Sequence, residues 1–209
     1  MSDEVSEREW GGMLRTVARE ASEPSSALRE RGLIAAVPEL AALAGTPQDP
    51  LWHPEGDVLV HSLWAADLAA ARADAERFAP ERRELVVLAS LLHDIGKPAT
   101  TRRRDGRLTS RGHAERGAEI VRALGRRLDW PGTLVRPIAA IVGDHMAHVS
   151  VQGAPSARAV RNLVSRLRGS EATLEDWAVV VKADGDARGS AARPDASIPW
   201  LRVARELGL

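Results

Sequence analysis

Six residues of this 209-residue chain combine side chains that bind cations with helical surroundings that should be dry. His61 shares a helix face with Trp64, Ala65 and Leu68, and His93 and Asp94 end ELVVLASLLHD, a run apolar almost all round. His113 lines up with Gly117, Ile120 and Leu124, His145 with Leu134, Ile138 and Ile141, and Asp184 with Leu174, Trp177 and Val181. Five helices thus carry an ionisable group on the stripe that should face the core. Burying one unpaired polar group costs about 1 to 3 kcal/mol, and a lone carboxylate costs far more. A shared divalent cation would compensate all of them at once. The chain has no cysteine, so disulfides, thiol nucleophiles, iron–sulfur clusters and thiolate zinc sites are excluded, and any tightly held metal must sit on His, Asp or Glu.

The elements that must position these groups are helical. Apolar positions recur at helical spacing, and no stretch shows sustained alternation flanked by hairpin turns, so the expected class is all-α. Helices are expected near 12–20, 25–32, 38–44, 57–78, 81–94, 113–128, 133–147, 156–168, 171–185 and 198–207. Breaks are expected at TPQDP (46–50), GKP (96–98), DWPG (129–132), QGAPS (152–156) and ARPD (192–195). Ser156 or Pro155 can open the helix before AVRNLVSRL, and Asp129 or Thr133 can cap the one containing IAAIV, which Pro137 kinks if it falls past the first turn.

Lysine and arginine together number 29, as do aspartate and glutamate, which argues against coating nucleic acid or an anionic membrane through bulk charge. Only Lys97 and Lys182 are lysines. No apolar run approaches the roughly 20 residues that span a bilayer, and the acidic start lacks signal-peptide character, so a cytoplasmic location is expected.

With their neighbours, these residues carry a family resemblance. GTPQDPLWHPEGDVLVHSL (45–63), LASLLHDIGKPATT (88–101), GHAERGAEIV (112–121), IVGDHM (141–146) and VVKADGDARG (180–189) resemble the HD-domain metal-dependent phosphohydrolases. The branch is that of the HD domains of bacterial CCA-adding tRNA nucleotidyltransferases and HD-type polynucleotide kinase/phosphatase proteins. The resemblance runs from about Ala27 to Leu209 and implies an HD-domain helical bundle with a metal site in its centre, over 27–209, behind an N-terminal extension, 1–26. Gly11-Gly12 leaves no room for a nucleotidyltransferase head before it, and Gly96-Lys97 is followed by Pro98 rather than the Ser or Thr of a phosphate loop. A free-standing hydrolase module is therefore expected.

Residue by residue, the resemblance implies that His61, His93, Asp94 and Asp184 hold one metal and that His113 and His145 add a second, with Asp94 bridging. Asp186 competes with Asp184 in KADGDARG. One or two divalent transition ions are implied, among Mn, Fe, Co, Ni and Zn with Mg as a further candidate. Two ions about 3.5 to 4 Å apart would clamp the attacking and leaving oxygens of an in-line displacement.

Lys97 stands near enough to Asp94 to reach a phosphate, and Arg102, Arg103, Arg104, Arg107 and Arg111 between two ligand positions either guide a phosphorylated end or are merely solvated. His53 either faces the site or serves a helix entrance, His148 is expected to be exposed, and Asp144 either orients an imidazole or lies on the surface. Trp64 and Trp177 are expected in the core. The expected activity is a phosphatase or cyclic phosphodiesterase on 2′,3′-cyclic, 2′- or 3′-phosphate RNA ends, with Asp94, Lys97, His113 and His145 as catalytic groups. Alternatives are a nucleotide or dinucleoside polyphosphate hydrolase, an HD-scaffold di-iron oxygenase and a non-catalytic RNA-binding module.

Overall fold

In the computed structural model, which describes residues 5–149 and 153–209, the chain runs through α1 (Glu7–Glu20), α2 (Pro24–Glu30), α3 (Leu33–Ala36), α4 (Pro38–Ala41), α5 (Val58–Ala75), α6 (Pro80–Leu92) and α7 (Lys97–Thr100). A small hairpin, β1 (Arg102–Arg104) and β2 (Arg107–Thr109), leads to α8 (His113–Arg127), α9 (Gly132–Asp144), α10 (Ala157–Arg168), α11 (Leu174–Asp186) and α12 (Ile198–Glu206). The class is all-α. Its axis is α6, buried from residue 83 to 92 and, from Leu85 onward, apolar almost all round. Helices α1, α5, α9 and α11 pack against it, and α8 lies along α9.

Local chemistry explains most boundaries. Asp57 caps α5 by accepting from Val60 N at 3.0 Å, and it also accepts from Gly45 N at 2.7 Å, pinning the preceding loop. Thr173 and Asp176 form a capping box that starts α11, and Ser156 caps α10 as expected. Helix α1 begins well before the expected residue 12: Ser6 and Glu9 make a capping box, and Gly11 lies inside the helix. A methyl group on Gly11 would meet Leu128 O at 2.3 Å, so close packing explains a glycine that helix propensity disfavours. The segment expected as an N-terminal extension thus carries α1, whose Leu14, Val17 and Ala18 join the common core.

Two expectations are corrected, and the place of Pro137 is settled. Neither Asp129 nor Thr133 caps α9; the N-cap is Pro131, with no side-chain bond, and Asp129 occupies a turn at φ 54°. Pro137 lies past the first turn of α9, where it lacks the N–H that would bond back to Thr133. The segment after Lys97 is a one-turn helix followed by a hairpin. Asp105 and Gly106, at φ 47° and 77°, turn the chain so that Arg103 pairs with Leu108. The expected break at 152–156 lies partly outside the described residues. Among the described residues, no helix is long and apolar enough to cross a membrane.

Candidate metal centre

The ends of helices bring the cation-binding side chains together. His61 stands one turn inside α5, on a seam of Ala65, Ala69 and Ala73 that is narrow enough to meet α6. His93 is the C-cap of α6, and Asp94 follows in the tight turn to α7. That turn rests on the start of α8. A methyl group on Gly96 would sit 2.1 Å from His113 O and 2.7 Å from Gly117 N, so only glycine lets the two backbones touch. His113 opens α8, His145 follows α9 in a 3₁₀ turn, and Asp184 lies in the last turns of α11. All six side chains are buried.

Asp94 sits between two sets of nitrogens. Its Oδ2 is 3.2 Å from His93 Nε2 and 3.7 Å from His61 Nε2, while its Oδ1 is 3.3 Å from His113 Nε2 and 3.9 Å from His145 Nε2. Asp184 Oδ1 joins the first set at 3.2 Å from His61 Nε2. His61 and His93 place their Nε2 atoms 3.2 Å apart, and His113 and His145 theirs 3.1 Å apart. Asp186 instead pairs with Lys182 at 2.7 Å.

The tautomers follow from the opposite side of each ring. Nδ1 of His93, His113 and His145 donates to the carbonyls of Ser90, Ser110 and Val142, each at 2.7 Å, and a carbonyl can only accept. His61 Nδ1 faces Glu55 Oε1 at 2.6 Å. Four Nε2 lone pairs and two carboxylates therefore converge with too few donors to satisfy them. Metal–ligand bonds of about 2.0 to 2.2 Å put adjacent ligand atoms about 3.0 to 3.6 Å apart, and the closest spacings here fall in that range. The donor set fits divalent cations: His61, His93, Asp94 and Asp184 on one side, Asp94, His113 and His145 on the other.

The electrostatics agree. Burial opposes the charged form of His61, yet its bonds to Asp184 and Glu55 and the charge of Asp94 raise it to about 9, so a proton is drawn to the place where positive charge is lacking. Burial would raise Asp94 and Asp184, but Lys97 and His93 acting on the first, and His61 and His93 on the second, hold both well below the usual carboxylate range. Burial, reinforced by His93 and His113, drives His145 down to about 3, so it stays a neutral acceptor.

Asp184 and His113 line a cavity of about 1120 Å³, together with Lys97 and Arg111. Lys97 Nζ lies 2.7 Å from Asp94 Oδ2 and donates to Gln48 Oε1 at 2.7 Å. Arg111 is exposed and, among the described residues, pairs with no carboxylate. Arg102 does not belong with them: it lies outside the cavity lining, and its guanidinium donates to the carbonyls of Thr101 and Ala99.

Four further expectations resolve. His53 faces the site, sharing Glu55 Oε1 with His61 at 2.8 Å; burial first, then Lys97, lowers it to about 4. His148 is half-buried rather than exposed, because its Nδ1 donates to His145 O and its ring packs near Trp177. Among the described residues Asp144 orients no imidazole; its carboxylate takes Arg166 bidentately, Oδ2 from Nε and Oδ1 from Nη2. Trp177 is core, whereas Trp64 is 44 % exposed, because the buried face of α5 turns towards Ala65 and Ala66.

Two contacts to candidate ligands were not anticipated. Glu55 holds His61 from behind, and Arg188 donates to Asp184 Oδ1 at 3.1 Å. Glu55 had a signal, a carboxylate between two histidines in HPEGDVLVH. Arg188 had none, being one arginine among many.

The model of the HD domain matches residues 58–183. A multifunctional CCA protein of Cupriavidus metallidurans is 32 % identical over 200 residues, covering 93 % of this chain and 45 % of that protein. One from Nitrosospira multiformis is 32 % identical over 208 residues, 96 % of this chain and 47 % of its own length. One from Halorhodospira halophila is 39 % identical over 144 residues, 66 % and 31 % respectively. The chain thus spans less than half the length of each of these relatives. The HD match contains His61, the His93-Asp94 pair, His113 and His145, and the similarity to two CCA proteins extends over nearly the whole chain. The chain belongs to the HD-domain superfamily of metal-dependent phosphohydrolases, in the branch that resembles the multifunctional CCA proteins.

Proposed function

We propose that this centre hydrolyses phosphomonoesters or cyclic phosphodiesters at RNA ends, namely 2′,3′-cyclic, 2′- or 3′-phosphates. The observation that carries the reading is Asp94, with one oxygen turned to His61 and His93 and the other to His113 and His145, beside the ammonium of Lys97. The resemblance to multifunctional CCA proteins favours an RNA substrate.

His61, His93, Asp94 and Asp184 would hold one divalent ion, and Asp94, His113 and His145 a second. Such ions supply Lewis acidity to a phosphoryl oxygen and make water a nucleophile at neutral pH. The chain's own groups do the rest. Lys97, fixed between Asp94 and Gln48, donates to phosphoryl oxygens as charge develops on them. Arg111, at the cavity wall, holds the phosphate ester from outside. Of the pair His113 and His145, His113 lines the cavity and can pass a proton to the leaving oxygen when it is not a ligand; His145, neutral and buried, remains an acceptor.

The test is turnover of phosphorylated and cyclic-phosphate RNA ends, nucleoside monophosphates and dinucleoside polyphosphates by protein reconstituted with Mn, Fe, Co, Ni, Zn or Mg. Asp94→Ala should lose both bound metal and hydrolysis while keeping helical circular dichroism. Full activity in that variant would sink the assignment. Preference for dinucleoside polyphosphates would move the substrate to free nucleotides with the same chemistry.

A further inference from the structure

Trp52 is the aromatic side chain that this fold leaves in the open beside the metal cavity. It is 39 % exposed; Trp64 is also exposed but does not line the cavity, Trp10 packs against the core, Trp130, Trp177 and Trp200 are buried, the chain has no tyrosine, and its one phenylalanine, Phe78, packs under Arg82. Arg193 lies over the Trp52 ring with its guanidinium carbon 4.1 Å from the centroid. Among the described residues, that guanidinium makes no ion pair with a carboxylate, so its charge is unspent. Both residues line the metal cavity, and both also line a shallower outer pocket of about 580 Å³. The rest of that pocket is Pro50, Leu51, Pro54, Ser190, Ala191 and Ala192, which carry no charge. The Trp52–Arg193 pair is therefore a wall with phosphate chemistry on one side and a small, uncharged recess on the other.

We propose that this wall is a stacking platform for the nucleobase of a nucleoside phosphate whose phosphate group lies at the metal centre. The inference rests on the phosphohydrolase reading and adds what recognises the substrate beyond its phosphate. Every base has a π face, and an indole already paired with a planar guanidinium offers a flat surface with a positive edge. Leu51, 77 % exposed beside it, suits the apolar recess to a base rather than to water. The platform is also tied to the chemistry. The loop that carries Trp52 holds Lys97 through Gln48 and His61 through Glu55, and Arg193 follows Arg188, which holds Asp184. A base seated on Trp52 would therefore sit on the same segments that position Lys97, His61 and Asp184.

The experiment compares wild type, Trp52→Ala and Trp52→Phe as metal-loaded enzymes on three esters: a 3′-phosphorylated single-stranded oligonucleotide, a nucleoside 3′-monophosphate and glycerol 2-phosphate. In parallel, the oligonucleotide's affinity for Asp94→Ala protein is measured by fluorescence anisotropy, with and without Trp52→Ala. Removing the ring should raise KM for the base-bearing esters about tenfold with little change in kcat, weaken oligonucleotide binding by a similar factor, and leave glycerol 2-phosphate unaffected. Phenylalanine should restore most of the loss. A loss confined to the oligonucleotide assigns the platform to a polynucleotide end, and a loss on both base-bearing esters shows that one nucleotide suffices. Equal effects on all three esters, or none, overturn the platform and leave the hydrolase reading standing. If no ester is turned over but binding still weakens with Trp52→Ala, the hydrolase reading falls and the platform stands. Failure of the Asp94→Ala protein to bind the oligonucleotide, with unchanged KM values, overturns the platform outright.

Discussion

At the scale of single residues, the candidate centre is built by what stands behind each histidine. His93, His113 and His145 are all oriented by a carbonyl three residues earlier, an arrangement that needs only a helix or turn and leaves no trace in side-chain identity. The ligand types and their stripes were legible in the sequence, because a histidine or aspartate on an apolar face is conspicuous. Glu55 was missed although HPEGDVLVH puts a carboxylate between two histidines, because it sits in a loop before α5, where periodicity says nothing about burial. It is a positioning residue whose Oε1 serves both His53 and His61. Glu55→Gln keeps an acceptor for His61 Nδ1 but removes the charge that makes the imidazole a stronger donor to a cation. Metal affinity at the His61 side should fall about tenfold or more, as when other partners behind a ligand are changed. Isothermal calorimetry with Mn or Zn would show this, and unchanged affinity together with unchanged circular dichroism would assign Glu55 a packing role only.

At the scale of elements, the two halves of the centre meet because glycines let backbones touch. Helical periodicity located α5, α6, α8, α9 and α11, but it could not reveal that α8 rests on the turn after Asp94, since that contact is made by backbone atoms of Gly96, His113 and Gly117. Nor did it reveal the hairpin, whose short strands of Arg102–Arg104 and Arg107–Thr109 are mostly exposed and show no apolar alternation; Asp105-Gly106 was the available signal. Gly96→Ala would put a methyl group 2.1 Å from His113 O, and backbone on both sides cannot swing aside as a side chain would. The expected cost is about 2 to 3 kcal/mol from overpacking, seen in urea denaturation. Because the clash pushes α8 from the turn, Asp94 Oδ1 and His113 should part first. Metal analysis should then show the His113–His145 side losing its ion before the His61–His93 side does. Loss of stability with both ions retained would mean that α6 and its turn shift together with α8.

At the scale of the whole molecule, α6 is held at its other end by Arg83, which is 6 % exposed. Its guanidinium donates to the carbonyls of Ala18 and Ala21, the C-terminal carbonyls of α1, at 2.6 and 2.7 Å, and pairs with Asp74 from the end of α5 at 2.7 Å. One side chain thus ties three helices together, far from any ligand. Arg83→Met should lose about 3 kcal/mol, because it leaves helix-end carbonyls without donors, and that loss should persist across the pH range. Asp74→Asn should lose far less, under about 1 kcal/mol at pH 7, because the carboxylate is half exposed and screened. Its loss should depend on pH. The bond to Arg83 holds Asp74 below the usual carboxylate value, against a smaller effect of burial, so the unfolded chain takes up the proton first as pH falls. The stabilisation is therefore complete above roughly pH 4 and disappears as pH drops through the lower folded value, where wild type and Asp74→Asn should become equally stable. Neither change touches a ligand, so added metal should raise the melting temperature of wild type and both variants through the same affinity. A metal affinity altered by Arg83→Met would show instead that α1 and the centre are coupled through α6.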